Sequence, residues 1–239
     1  MITIWVFFEI VMGMPSFITF CFYMMMIFLS LLWQRITKPL DMRPVLVAYN
    51  FICSFLSCCT FLGFIYYGIV KSPSLYYMKY VEGLSSVYYL YYLTKNIELM
   101  DTVFMVLRHK RRQISFLHVF HHSSMVMLSN YAATVTPWPA IAPYLGMNSF
   151  VHIVLYFYYG LTALQPDNPP QWKKALTQLQ IAQFMIILVF TLYGYQFHKF
   201  CVYSIFYPLS MMILFSNFYY AAYLTQHRER TKPLKSKDP

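Results

Sequence analysis

Seven apolar runs, each about 20 residues or longer, are the feature that most restricts this chain, because that is the length a helix needs to cross hydrocarbon. They fall at roughly 4–32, 45–70, 84–107, 114–134, 140–162, 175–197 and 200–225. Soluble domains carry about 25% charged residues, whereas here 11% are charged and 59% hydrophobic. The expected fold is therefore an all-α polytopic membrane protein with seven transmembrane helices. Its 239 residues allow one integral membrane domain, 1–239, rather than two. A short basic tail follows from about residue 226. Aromatic residues make up 21% of the chain, which suits interfacial belts and a packed helical bundle.

A net charge of +10 invites a nucleic-acid reading, but the placement of the charge argues against it. The first, third and fifth loops hold Arg35, Lys38, Arg43, Arg108, Lys110, Arg111, Arg112, Lys173 and Lys174, and the tail adds five more basic residues. The opposite side holds only Lys71, Lys79 and Lys199, and Lys95 lies within a span. Such a bias marks the basic side as cytosolic. The C-terminus is then cytosolic, the N-terminus faces the lumen or exterior, and no nucleic-acid partner is expected. The last five residues, KSKDP, place Lys235 and Lys237 in a K-x-K-x-x pattern. That is a retrieval signal of the endoplasmic reticulum membrane, an address read by a cytosolic receptor. No basic region precedes the first apolar run, so no cleaved signal peptide is expected. The five cysteines have no framework spacing and predict no structural disulfide.

Polar residues inside apolar spans are candidates for function. Gln113–Ser124 reads QISFLHVFHHSS, and on a helix His118, His121 and His122 fall within about a 100° arc of one face. Three imidazoles on one face are costly to bury without partners. The third span carries KNIELMDT, where Lys95, Glu98 and Thr102 share a face and Asp101 lies about a third of a turn away. On the fifth span Asn148, His152, Tyr156 and Tyr159 form one stripe, and on the sixth Thr177, Gln180 and Gln183 repeat at three-residue steps. A single stripe of this kind can be interhelical glue. Four on successive helices, facing inward, would converge on one polar pocket in an apolar bundle.

Two other readings fit parts of this pattern. A histidine-box, metal-dependent membrane oxidoreductase would use the imidazoles as ligands, but all-histidine di-iron sites need around eight, and this chain has seven in total. Glu98 and Asp101 would have to complete a mixed site. A seven-span transporter accounts for the span count but does not need four clustered imidazoles.

The same motifs carry a resemblance. KNIELMDT fits K-x-x-E-L-x-D-T, and QISFLHVFHH fits Q-x-x-F-L-H-x-x-H-H. NSFVHIVLYFYY fits N-x-x-x-H-x-x-M-Y-x-Y-Y, with Leu155 in place of Met, and TQLQIAQ fits T-x-x-Q-x-x-Q. In order and spacing they resemble the very-long-chain fatty-acid elongases, the 3-oxoacyl-CoA synthases of the ELO family, over nearly the whole chain. The resemblance implies a seven-helix protein of the endoplasmic reticulum, with six helices around a central tunnel and the first outside. It implies condensation of long-chain acyl-CoA with malonyl-CoA to a 3-oxoacyl-CoA two carbons longer, with release of CoA and carbon dioxide. Other enzymes of the elongation cycle are implied as partners, beside membrane lipids. No cofactor is expected beyond the CoA thioesters, and no metal.

No cysteine falls in the polar motifs, so imidazole is the available nucleophile; a neutral histidine can attack a thioester and form an acyl-imidazole. The resemblance points to His121 as acceptor with His152 beside it. Asp101 or Glu98 would fix a ring tautomer by accepting an N–H, and His118, His122 and Asn148 would complete the catalytic group. Lys95, Tyr156, Tyr159, Gln180 and Gln183 are expected along the substrate path. Arg108, Arg111, Arg112, Lys173 and Lys174 at the cytosolic mouth suit the phosphates of CoA.

Overall fold

The computed structural model of the protein describes residues 4–225. Among the described residues there is no strand, and nine α-helices carry the chain: α1 Ile4–Met12, α2 Pro15–Ile36, α3 Arg43–Gly63, α4 Leu84–Glu98, α5 Met100–Leu107, α6 Phe116–Thr134, α7 Ala142–Leu164, α8 Lys173–His198 and α9 Tyr203–Tyr219. The α3 rod continues as a π-helix over Phe64–Val70, and α9 as another over Tyr220–Thr225. The basic tail with Lys235 and Lys237 lies outside the described residues.

Among the described residues five segments are long and apolar enough to cross a membrane: Pro15–Ile36, Arg43–Val70, Pro139–Leu164, Lys173–His198 and Tyr203–Thr225. This is the make-up of a multi-pass membrane protein. The run at 84–107 is split into helices of 15 and 8 residues, and α6 is made less apolar by its three histidines, so length and composition alone do not reach seven.

Two runs are interrupted. The run at 4–32 is two helices, with Met14 extended (φ −85°, ψ 150°) and Pro15 opening α2. Proline suits that position because its missing N–H would be unpaired there anyway. The run at 84–107 tightens at Leu99: Leu99 N–H donates to Asn96 O at 3.2 Å, and Thr102 N–H to Leu99 O at 3.1 Å. These three-residue bonds separate α4 from α5.

The chain divides into two compact units, Met1–Pro170 and Gln171–Pro239. In the first, α3 and its π-helical extension run antiparallel to α7. Ser54 Oγ donates to Ile153 O at 2.9 Å and Thr60 Oγ1 to Ser149 Oγ at 3.0 Å. A Cβ on Gly160 would meet the Phe51 ring at 3.0 Å, and one on Gly68 would meet Ala142 Cβ at 2.6 Å. Small residues and hydroxyls let two membrane helices approach where no hydrophobic force drives them together. The other main pairings place α4 on α6, α3 on α4 and α2 on α6.

Alternate loops gather at opposite ends of this unit. At one end Leu40 N–H donates to Leu107 O at 3.0 Å, and Arg43 caps α7 through Nε to Ala163 O (3.0 Å) and Nη2 to Leu164 O (2.8 Å). A guanidinium there also complements the negative end of the helix dipole. At the other end Ala140 N–H donates to Tyr77 O at 3.0 Å and Tyr88 Oη to Trp138 O at 2.7 Å. Arg35, Lys38, Arg43 and the 108–112 cluster thus share one end, and Lys71 and Lys79 lie in the loop at the other.

The second unit is the pair α8 and α9. Phe184 stacks on Phe215 with centroids 5.5 Å apart, and Gln178 Nε2 donates to Tyr219 Oη at 3.2 Å.

Candidate active site

Ser115 sets the register of the histidines. Its backbone is extended and its Oγ accepts the His118 backbone N–H at 3.2 Å, so α6 begins at Phe116. From that start His118, His121 and His122 project toward α4, α5 and α7. The His118 and His122 centroids are 4.3 Å apart, and those of His121 and His122 5.6 Å. His121 lies 6.0 Å from His152 of α7. Four imidazoles from two helices therefore form one cluster.

Beneath His152 is a buried ion pair. Lys95 Nζ lies 2.8 and 2.9 Å from the two Glu98 carboxylate oxygens, with the side chains only 2% and 1% exposed. Leaving either charge unpaired at such depth would cost several kcal/mol, on the order of the penalty for a single buried ion. His152 Nδ1 sits 3.1 Å from Glu98 Oε1 and 3.2 Å from Lys95 Nζ. Donation of Nδ1–H to the carboxylate leaves Nε2 with a free lone pair, the state a nucleophile or base needs. Lys95 Nζ also lies over the Tyr91 ring, 4.8 Å from its centroid.

A second branch surrounds Asp101. Tyr156 Oη donates to Asp101 Oδ2 at 2.7 Å, and His122 Nε2 approaches the same oxygen at 4.0 Å, too far for a hydrogen bond. Thr102, the next residue, bonds His118 Nε2 at 2.8 Å. The α4–α5 interruption lets Glu98 face His152 while Asp101 and Thr102 face the Tyr156 and His118 sides.

The structure brings together His118, His121, His122, His152, Lys95, Glu98, Asp101, Asn148 and Tyr156. Asn148 Oδ1 accepts from Tyr91 Oη at 2.7 Å. Tyr159 lies nearer the surface: it is 41% exposed and meets the Tyr156 ring edge-on at 6.2 Å. On α8 of the second unit Gln183 is buried, Gln180 half-buried, and Lys173 and Lys174 exposed. Arg108 is half-buried at the end of α5, and Arg111 and Arg112 are exposed on the 3-10 turn before α6.

Three neighbours escaped the sequence reading. Tyr91 lies one turn before Lys95, so extending that stripe backwards would have found it. Tyr23 of α2 reaches Thr102 Oγ1 at 2.9 Å from an apolar run 79 residues away, with no local signal. Cys53 of α3 is fully buried, clustered with Tyr49, Phe104 and Tyr156. Among the described residues no three of His, Cys, Asp and Glu are grouped so as to hold a metal ion.

The fold and site define an all-helical membrane protein with a buried histidine–carboxylate centre. Comparison with known proteins gives the family. The ELO model, described as the GNS1/SUR4 family, matches residues 11–231, and the chain belongs to that family. It is 34% identical to very long chain fatty acid elongase 1 of Mus musculus over 89% of this chain and 83% of that protein. It is 32% identical to very long chain fatty acid elongase 5 of Homo sapiens, covering 91% and 77% of the two chains. With very long chain fatty acid elongase 2 of Mus musculus the identity is 33%, covering 93% and 78%.

Proposed function

We propose that this protein is a very-long-chain 3-oxoacyl-CoA synthase, the condensing enzyme of fatty-acid elongation. The observation that carries the reading is the His121–His152 pair beside a buried Glu98–Lys95 ion pair, in a chain of the ELO family. In the first half-reaction a neutral imidazole nitrogen of His121 attacks the thioester carbon of a long-chain acyl-CoA. The C–S bond breaks, an acyl-imidazole forms, and the ring proton passes to the departing thiolate to give free CoA. In the second, malonyl-CoA loses carbon dioxide, and the electron pair of the broken C–C bond becomes the enolate of acetyl-CoA. That carbanion attacks the acyl carbon, the imidazole leaves and takes up a proton from solvent, and the product is a 3-oxoacyl-CoA two carbons longer. Splitting the condensation in this way replaces one difficult step with two easier ones.

His152, oriented by Glu98, accepts or returns the proton through Nε2. Lys95 keeps the carboxylate ionised, and Asn148, tethered by Tyr91, offers its amide N–H groups to developing negative charge. Arg108, Arg111 and Arg112, with Lys173 and Lys174, bind CoA phosphates. The substrates are long-chain acyl-CoA and malonyl-CoA, with no further cofactor. The proposal includes seven spans, six of them around a tunnel and the first outside. It places the protein in the endoplasmic reticulum membrane with a lumenal N-terminus and cytosolic C-terminus, retained through Lys235 and Lys237. The segregation of basic residues to one end of the first unit supports that orientation.

The test is labelled malonyl-CoA incorporation by purified protein with a panel of acyl-CoAs, together with intact-mass analysis after acyl-CoA alone. An acyl adduct on the wild type, absent from His121→Ala, is expected. Near-normal turnover by His121→Ala would exclude the acyl-imidazole route, and iron or zinc in stoichiometric amount would favour a metal-dependent oxidoreductase.

A further inference from the structure

Tyr23 Oη, Thr102 Oγ1 and His118 Nε2 form a chain of two short hydrogen bonds, 2.9 and 2.8 Å, linking α2 to α6 through the first turn of α5. Tyr23 is 4% exposed and Thr102 is fully buried. The geometry permits three arrangements of donation, and counting donors selects between them: if Tyr23 O–H and His118 Nε2–H both donated to Thr102, the buried threonine hydrogen would have no acceptor among the described residues. Were His118 Nε2–H to donate to Thr102, and Thr102 to Tyr23, the tyrosine O–H would need a further acceptor. Among the described residues Tyr23 Oη has no other hydrogen-bond partner, and a buried unpaired donor is costly. In the opposite direction both buried hydroxyls are satisfied: Tyr23 donates to Thr102, Thr102 donates to His118, and Nε2 accepts with its ring lone pair, which leaves the remaining N–H on the half-buried His118 ring instead of on the buried Tyr23 hydroxyl.

We infer that Tyr23 and Thr102 are positioning residues that lock His118 in the Nδ1–H tautomer and so make it a hydrogen-bond donor, excluded from nucleophilic attack. With its Nε2 lone pair occupied, His118 presents an N–H rather than a lone pair to the cluster. The acceptor role falls to His121 and the base role to His152, whose Nδ1 lies on Glu98. The helix α2 thereby contributes to the site without lining it. The catalytic part of this inference rests on the proposed condensation, but the tautomer does not.

Two readouts separate the two. The first is 15N magic-angle NMR of 15N-histidine-labelled protein in lipid, with His118 assigned by its loss in His118→Gln. The wild type should show an unprotonated, hydrogen-bonded Nε2 and a protonated Nδ1. Tyr23→Phe and Thr102→Val should each shift the His118 signals, and Thr102→Ser should restore them. The second is elongation kinetics, where Tyr23→Phe should lower kcat about five- to tenfold, one neutral hydrogen bond's worth, with KM for both thioesters within about twofold. Thr102→Val should lower kcat at least as far, and Thr102→Ser should recover most of it. A wild-type His118 protonated on Nε2, or His118 signals and kcat unchanged in Tyr23→Phe, would overturn the inference. A wild type with the expected tautomer but no condensation would instead overturn the proposed function and leave the lock standing.

Discussion

Glu98→Gln is the substitution whose consequences follow most directly from the structure. The carboxylate is 1% exposed and holds Lys95 Nζ at 2.8 and 2.9 Å and His152 Nδ1 at 3.1 Å. Glutamine keeps the shape but removes the charge, leaving an ammonium buried without its counter-ion. Breaking one side of such a pair costs about 3–5 kcal/mol. At about 2–4 °C per kcal/mol for a chain of this size, the apparent Tm in detergent should fall by about 6–20 °C. Turnover should fall by about 100-fold or more, because the amide can present N–H to His152 as readily as C=O and no longer fixes its tautomer. The double variant Lys95→Met/Glu98→Gln separates the two effects. Exchanging a whole buried pair for neutral groups of similar volume is often close to neutral in stability, so Tm should return most of the way while turnover stays lost. A Tm for Glu98→Gln within about 2 °C of wild type would show that the pair is not a coupled buried unit. Recovery of turnover in the double variant would show that Glu98 does not orient His152.

Other outcomes follow from the same geometry. Gly68→Leu forces a Cβ into Ala142 and should cost about 1–3 kcal/mol by overpacking the α3–α7 seam, read as a lowered Tm, whereas Ile69→Leu on the exposed face should leave Tm unchanged. Cys53→Ala should keep kcat within about twofold, because the thiol is sealed among Tyr49, Phe104 and Tyr156; loss of turnover by a folded Cys53→Ala protein would make the sulfur the acyl acceptor. Arg111→Gln/Arg112→Gln should raise KM for the CoA thioesters about threefold or more with Tm unchanged, since both side chains are exposed and act as phosphate partners; an unchanged KM would leave them a topological role only.

The histidine trio, the Lys95–Glu98 pair and the Asn148–His152–Tyr156 stripe were legible in the chain because helical periodicity settles which residues share a face. Composition and run length likewise settled that the protein is helical and built for a membrane. Periodicity does not say which neighbouring helix a face will meet, and there the tertiary structure decided. Tyr23 lies in a run that reads as uniform lipid-facing surface, and only the packing of α2 turns its hydroxyl onto Thr102. Tyr159 lies on the same face by spacing, yet it is 41% exposed, because a shared face does not say how far along the helix a neighbour covers it. The interruption at Leu99 turns Glu98 toward His152 and Thr102 toward His118. A local pattern records the cost of burying a polar group, whereas its partner is chosen by contacts made across the sequence, such as the 54-position separation of Glu98 and His152.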